Sequence, residues 1–210
     1  MSESNTKIII QAGGLGTRMQ HLTRYRPKCL VPIGGETILS NAVKIFGEKN
    51  VIIIGDYLFE VLEEYTKIFY PKVKLVRAIG KGTCAGLNEA LKHVADNEPF
   101  FFSWSDLYFS KLPEINNLDE NCMGVSRTFP CRYQYINNQY LKITDNKFGI
   151  SGFFYFCDKQ QISDCPDEGS FVGKYLKDRN FIFKNIFWMD DVHEIGTLEA
   201  LKNYESAKIK

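Results

Sequence analysis

Between Gln11 and Lys28 the chain reads QAGGLGTRMQHLTRYRPK, with three glycines in four positions at Gly13, Gly14 and Gly16. Glycine lets a backbone turn with positive φ and approach a ligand with no Cβ in the way. A turn of that kind can aim several amide N–H groups at one anion. Arg18 closes the loop and Lys28 follows ten residues later. The first offers a planar fork for phosphate oxygens, the second a movable point charge. Together these residues could hold a polyphosphate. The loop alone does not decide it, since an ordinary turn has the same composition. It matches neither the dinucleotide pattern G-x-G-x-x-G nor a Walker A loop, because no G-K-[ST] follows.

Carboxylates that could complement those cations lie far away in sequence. Asp106 directly follows the apolar run Phe100–Ser105. It is either a turn residue capping a strand end or a ligand for Mg²⁺, which takes hard oxygens and often one or two carboxylates plus substrate phosphates. Near the C-terminus FWMDDVHEIGTLE carries Asp190, Asp191 and Glu194. A second glycine loop, Gly80-Lys81-Gly82-Thr83-Cys84-Ala85-Gly86, could border a ligand or simply start a helix with Thr83 as its N-cap.

Elements of alternating type must position these residues. Ile8, Ile9 and Ile10 suit a strand at 7–11 buried on both faces. Apolar spacing predicts a helix over 36–48, a strand over 51–54, an amphipathic helix over 57–69, a strand over 73–76, a helix running from the second glycine loop to about Val94, and a strand over 100–104. This alternation implies a mostly parallel sheet with helices on both faces and right-handed crossovers. After about residue 110 the pattern changes. Strands are expected at 124–127 and 149–156, a hairpin at 133–136 with 139–143, a helix at 170–178, a strand at 181–187 and a closing helix at 197–209. No repeat or linker interrupts the chain, so one domain over 1–210 is expected, with a nucleotide-binding half (1–110) and an acceptor-binding half (111–210). In open α/β sheets ligands bind beyond the carboxyl ends of the strands. Gly13–Arg18, Gly82-Thr83 and Asp106 all follow predicted strands and should converge there.

Composition narrows the partners. Of 210 residues 44% are hydrophobic and 24% charged, with a formal net charge of +1, as in an ordinary folded protein. Nothing points to a nucleic-acid partner, which usually demands a basic excess. No stretch approaches the roughly 20 apolar residues of a membrane span, and MSESNTK is too short for a signal peptide; a cytoplasmic protein is expected. The six cysteines form no C-x-x-C pair and read as reduced, mostly buried thiols. The three histidines are too scattered for a metal cluster. The oligomeric state stays open, a homo-oligomer included.

The loop GGLGTRMQHLT followed by RPKCLVPIGG resembles the signature of the sugar-1-phosphate nucleotidylyltransferases, the NDP-sugar pyrophosphorylase family: a G-G-x-G-T-R loop, then P-K-x-L-x-P-[IV] at this distance. Here those positions are Gly13, Gly14, Gly16, Thr17, Arg18, and Pro27, Lys28, Leu30, Pro32, Ile33. The resemblance implies a three-layer α/β/α Rossmann-like nucleotidyltransferase fold with a mostly parallel mixed sheet. It also implies a reaction in which an NTP and a phosphorylated acceptor give an NDP-acceptor and pyrophosphate, with Mg²⁺ as cofactor. Gln11, Ala12, Gly13, Gly14, Gly16, Thr17, Arg18, Gly82 and Thr83 are then expected at the nucleotide, and Arg18, Lys28 and Asp106 in catalysis. Ser105-Asp106 stands where relatives carry Gly-Asp. Glu194-Ile195-Gly196-Thr197 resembles the family's D-[IV]-G-T, so Glu194 is expected as second metal ligand beside Asp106, with Asp191 as the alternative if the loop bulges. Gly82–Leu87 resembles G-T-A-G-A-L. Ser151-Gly152 falls in a strand similar to N-A-G-[IV]-Y-x-F, near the acceptor. The family's E-K-P, whose lysine touches the sugar phosphate, is absent; Lys142 and Lys147 are the candidate replacements.

In that reaction the nucleophile is already an anion and needs no general base. The obstacle is charge repulsion, about 4 kcal/mol for two unit charges ~4 Å apart at an effective dielectric of ~20. Neutralisation and alignment are then the protein's task. Two other readings stay open on sequence: a cytidylyltransferase for a small non-sugar phosphate, such as phosphocholine or a phosphorylated amino acid, and a nucleotide-binding module without catalysis. A glycosyltransferase of related fold is disfavoured by the lack of a D-x-D triplet after residues 100–104.

Overall fold

The computed structural model describes residues 6–115, 118–142 and 148–208. Its centre is a seven-stranded sheet. The strands are β1 (Lys7–Gln11), β2 (Val51–Gly55), β3 (Lys74–Arg77), β4 (Phe100–Trp104), β5 (Cys122–Ser126), β6 (Gly149–Phe156) and β7 (Asn185–Trp188), in the spatial order β7-β5-β6-β4-β1-β2-β3. β1 pairs in parallel with β2 and β4, β2 with β3, and β7 with β5, while β6 runs antiparallel to both its neighbours. The expected mostly parallel mixed sheet is thus what forms.

Strand parity explains how continuous apolar runs make two cores. Successive side chains point to opposite faces. Ile9, Ile52, Ile54, Phe100, Phe102, Phe154 and Phe156 lie in one buried cluster; Ile8, Ile10, Val51, Ile53, Phe101, Phe153 and Tyr155 lie in the other. The first face is covered by α3 (Leu87–Leu91) and the segment Phe171–Leu176, the second by α1 (Ile38–Phe46) and α2 (Phe59–Phe69). Thr37 caps α1 by accepting from the Ser40 N–H at 3.0 Å. The last helix, α4 (Leu198–Lys208), sets Leu201 into a third small cluster with Met19, Val31, Ile33 and Ile195.

Several boundaries differ from the sequence expectation. The helix expected from the second glycine loop to Val94 is helical only over Leu87–Leu91, because Gly82 and Gly86 take φ of 92° and 76° and turn the chain first. Thr83 is no N-cap for it; its hydroxyl accepts the Phe171 N–H at 2.8 Å. The strand expected at 181–187 forms at 185–188, since the 181–183 backbone is taken by tyrosines: the Tyr140 hydroxyl donates to the Phe181 carbonyl, and the Tyr135 hydroxyl accepts the Phe183 N–H. The strand expected at 124–127 spans 122–126. The hairpin is present as Tyr133–Ile136 with Gln139–Lys142. A ribbon the sequence did not suggest pairs Leu107–Phe109 antiparallel with Val192–Glu194. No helix among the described residues is long and apolar enough to cross a membrane.

Candidate active site

The carboxyl ends of β1, β2, β3 and β4 deliver the glycine loop, Asp56, Ala78 and Ser105-Asp106 to one cleft of about 410 Å³. Of the expected nucleotide residues, Gln11, Gly13, Gly14, Gly16, Thr17, Arg18, Gly82 and Thr83 line it, as do Lys28, Asp106, Glu194 and Ser151.

The glycine loop is less uniform than its composition suggests. Only Gly16 sits in the left-handed region, at φ 64°, with the Thr23 side chain against the place a Cβ would take. Gly14 has neither constraint: its φ is not positive, and nothing lies within 4 Å of a Cβ built there. Its missing side chain leaves room in the cleft.

At the floor of the cleft two cations meet two carboxylates. Lys28 Nζ is 2.6 Å from Asp106 Oδ2, and Arg18 Nη2 stands 3.8 Å from Asp106 and 3.4 Å from Glu194 Oε1. The Lys28, Asp106 and Glu194 side chains are only 14%, 10% and 14% exposed, so these charges need one another. The ribbon register brings the carboxylates together. Glu194 lies opposite Leu107, and the Ile195 N–H donates to the Asp106 carbonyl at 2.7 Å. Asp191, at the far end of the ribbon, instead pairs with Lys111 at 3.2 Å and does not line the cleft. Gly196 permits the crowding. A Cβ there would collide with the Glu194 carboxylate and lie 2.8 Å from Asp106 Oδ2 and 3.0 Å from Arg18 Nη2.

The two carboxyls titrate apart. Burial would raise Asp106, but the Lys28 and Arg18 charges outweigh it and hold it below its ordinary value. Glu194 is raised, first by burial and then by the Asp106 charge, with Arg18 only partly offsetting them. Among the described residues no group of three or more His, Cys, Asp or Glu side chains could hold a metal. A cation at this floor would therefore have two protein carboxylates and would draw its other oxygens from a ligand or water, as hard divalent ions at phosphate sites do.

Other expected residues fall elsewhere or play another part. Gln11 lines the cleft, yet its amide is occupied: Nε2 donates to the Thr83 and Ala85 carbonyls at 3.1 and 2.9 Å, and Oε1 accepts the Gly13 N–H at 3.2 Å. It ties the two glycine loops together. Ala12 does not line the cleft; parity puts its methyl with Ile10 in the core, and its N–H extends the ladder to Ile54. Gly152 is also outside it, at φ 89° beneath the Trp104 indole, which occupies the space a Cβ would need. Lys142 ends the hairpin with an exposed side chain and does not line the cleft; Lys147 lies outside the described residues. The Ser151 hydroxyl donates to the Gly124 carbonyl at 2.7 Å.

The cleft also contains residues that sequence reasoning missed. Asp56 and Trp104 could have been found by the strand-end rule that found Asp106. Phe129–Tyr133 and Ser170 form a further rim of the cleft, and nothing local in the sequence marks them. Burial, and then the Glu194 charge, push the Cys131 thiol up to about 11.

Known proteins resemble this chain in sequence and in fold. The family model of the MobA-like NTP transferase domain matches residues 8–123. The chain is 34% identical over 126 residues to a D-glycero-alpha-D-manno-heptose 1-phosphate guanylyltransferase of Campylobacter jejuni, a match covering 57% of each chain. It is 44% identical over 62 residues to a glucose-1-phosphate cytidylyltransferase of Salmonella typhimurium, covering 28% of this chain and 24% of the other. The matches thus span little more than half, or less, of these relatives' lengths. HddC from Yersinia pseudotuberculosis superposes with a TM-score of 0.75 at 23% identity, covering 98% of this chain and 100% of that one. The CTP:phosphocholine cytidylyltransferase of Streptococcus pneumoniae superposes with a TM-score of 0.74 at 20% identity, covering 97% and 99%.

Proposed function

The chain belongs to the MobA-like NTP transferase domain family, and from that premise we propose that it joins an NTP to a sugar-1-phosphate, releasing pyrophosphate and giving an NDP-sugar for glycan or capsule precursors. The observation that carries this reading is the floor of the cleft, where Arg18, Lys28, Asp106 and Glu194 converge beneath the glycine loop from positions up to 176 residues apart. The names of the similar guanylyl- and cytidylyltransferases support it.

On this reading the loop amides and Arg18 hold the triphosphate and the departing pyrophosphate. The acceptor phosphate attacks the α-phosphorus in line, and Lys28 neutralises charge developing there. Asp106 and Glu194 are the residues that would hold Mg²⁺. When bound, the ion supplies positive charge to the phosphate oxygens. Asp106 is held below and Glu194 above the ordinary carboxylate range, so Glu194 is the first of the two to take a proton as pH falls, and Mg²⁺ binding should weaken toward acid pH. Gln11 keeps the two nucleotide-side loops in register.

One observation favours a second reading. Trp104, Phe129 and Tyr133 give the cleft aromatic surface, which would suit the cationic head of an acceptor such as phosphocholine. The test is pyrophosphate release by the whole protein with each NTP and Mg²⁺ against α-D-glucose 1-phosphate, D-glycero-α-D-manno-heptose 1-phosphate and phosphocholine. Turnover with a sugar phosphate is expected, and EDTA should abolish it. Turnover with phosphocholine alone selects the second reading; none with any acceptor sinks both.

A further inference from the structure

The cleft is lined by three cationic side chains, Arg18, Lys28 and Arg132. The first two are committed to Asp106 and Glu194. Arg132 also lines the cleft, is exposed, and makes no ion pair or hydrogen bond among the described residues. Its loop is nonetheless well seated. Cys131 is buried, and Gly149 lacks the Cβ that would strike Cys131 and the Tyr133 carbonyl. The Tyr133 hydroxyl occupies the space a side chain at Gly173 would fill. A firmly held loop thus presents an unpaired guanidinium to the cleft.

We propose that Arg132 takes the phosphate of the acceptor, filling the role for which the sequence offers no E-K-P lysine. The inference rests on the nucleotidyltransferase reading above. A guanidinium fork can grip two oxygens of a phosphate monoester while leaving another free to attack. On that reading Arg18 and Lys28 serve the triphosphate, so the incoming acceptor dianion needs a separate cation, and Arg132 supplies it. The same charge opposes a trimethylammonium group placed on that rim, so it favours a neutral sugar over choline as the remainder of the acceptor.

The test is steady-state kinetics of R132Q and R132K in the full chain, with the acceptor and NTP that the parent uses best among those named above. R132Q is expected to raise the KM for the acceptor tenfold or more while the KM for the NTP stays within twofold, and R132K to recover part of the loss. Both variants should melt with the parent, since the side chain has no partner to lose. An unchanged acceptor KM in R132Q overturns the proposal, as does an equal rise in both KM values or no recovery in R132K. If the parent turns over and R132Q matches it, the inference alone fails. If the parent releases no pyrophosphate with any acceptor, the functional reading fails and the inference falls with it.

Discussion

On the glycine-loop rim of the cleft Lys28 and Arg18 stand 2.6 and 3.4 Å from carboxylates, whereas on the Phe129–Tyr133 rim Arg132 makes no ion pair among the described residues. The difference follows from burial. Lys28, Asp106 and Glu194 are nearly enclosed, and charges withdrawn from water must be paired inside the protein. Arg132 keeps its hydration and needs no partner until a ligand brings one. One rim is thus neutralised in advance, and its geometry is part of the folded state. The other contributes little to stability and is free to act in recognition. Function and stability should therefore be entangled on the first rim and separable on the second.

The largest effects should come from Lys28. K28M removes the closest partner of a buried carboxylate, so it should lower turnover by about 10²- to 10³-fold and cost roughly 3 kcal/mol of stability. K28M/D106N, with both charges gone, should regain most of the melting temperature and none of the turnover. Recovery of activity in the double variant would break the comparison. Entanglement of the opposite sign is expected at Glu194. Its carboxyl is raised by burial and by Asp106, so its protonated form stabilises the fold fully below the ordinary glutamate pKa of ~4.3, and that contribution is lost as pH rises. E194Q should therefore be inactive yet, in metal-free buffer at pH 7, melt above the parent, with the gap closing as pH falls. Thermal melts across pH would show it, and a variant melting below the parent at pH 7 contradicts the account.

The glycine loop gives a smaller and sharper contrast. G14A places a methyl into open cleft space, so stability should stay within about 0.5 kcal/mol while the KM for the NTP rises. G16A forces alanine to φ 64° against Thr23 and should cost about 1–2 kcal/mol in urea unfolding. Equal stability losses in the two would show that Gly14 is shaped by the fold and not by a ligand.

Much of the molecule was legible because its signals are local. Runs such as Ile8–Ile10 and Phe100–Phe102 announce strands buried on both faces, and period-two parity then sorts each residue to its core. The same parity explains why Ala12, expected at the nucleotide, is packed with Ile10 instead. Residues just past strand ends gather wherever strands run parallel, which is how Gly13–Arg18 and Asp106 could be placed together. Gln11 lines the cleft, but its hydrogen bonds were not visible in the sequence. Whether an amide faces a ligand or two carbonyls depends on a loop more than 70 residues away.

The chain by itself determined the sheet, the glycine loop and the reactive ends of its parallel strands, since apolar periodicity and turn chemistry act over a few residues. The sequence favoured Glu194 and kept Asp191 as the alternative; the tertiary structure brings Glu194 into the cleft and leaves Asp191 outside it, through a three-residue ribbon whose register joins distant segments with no local mark. It alone brought Arg132 to the cleft while leaving Lys142 outside. Which charge faces which depends on how loops from both halves close over one another, and that is settled by burial and pairing of the whole chain.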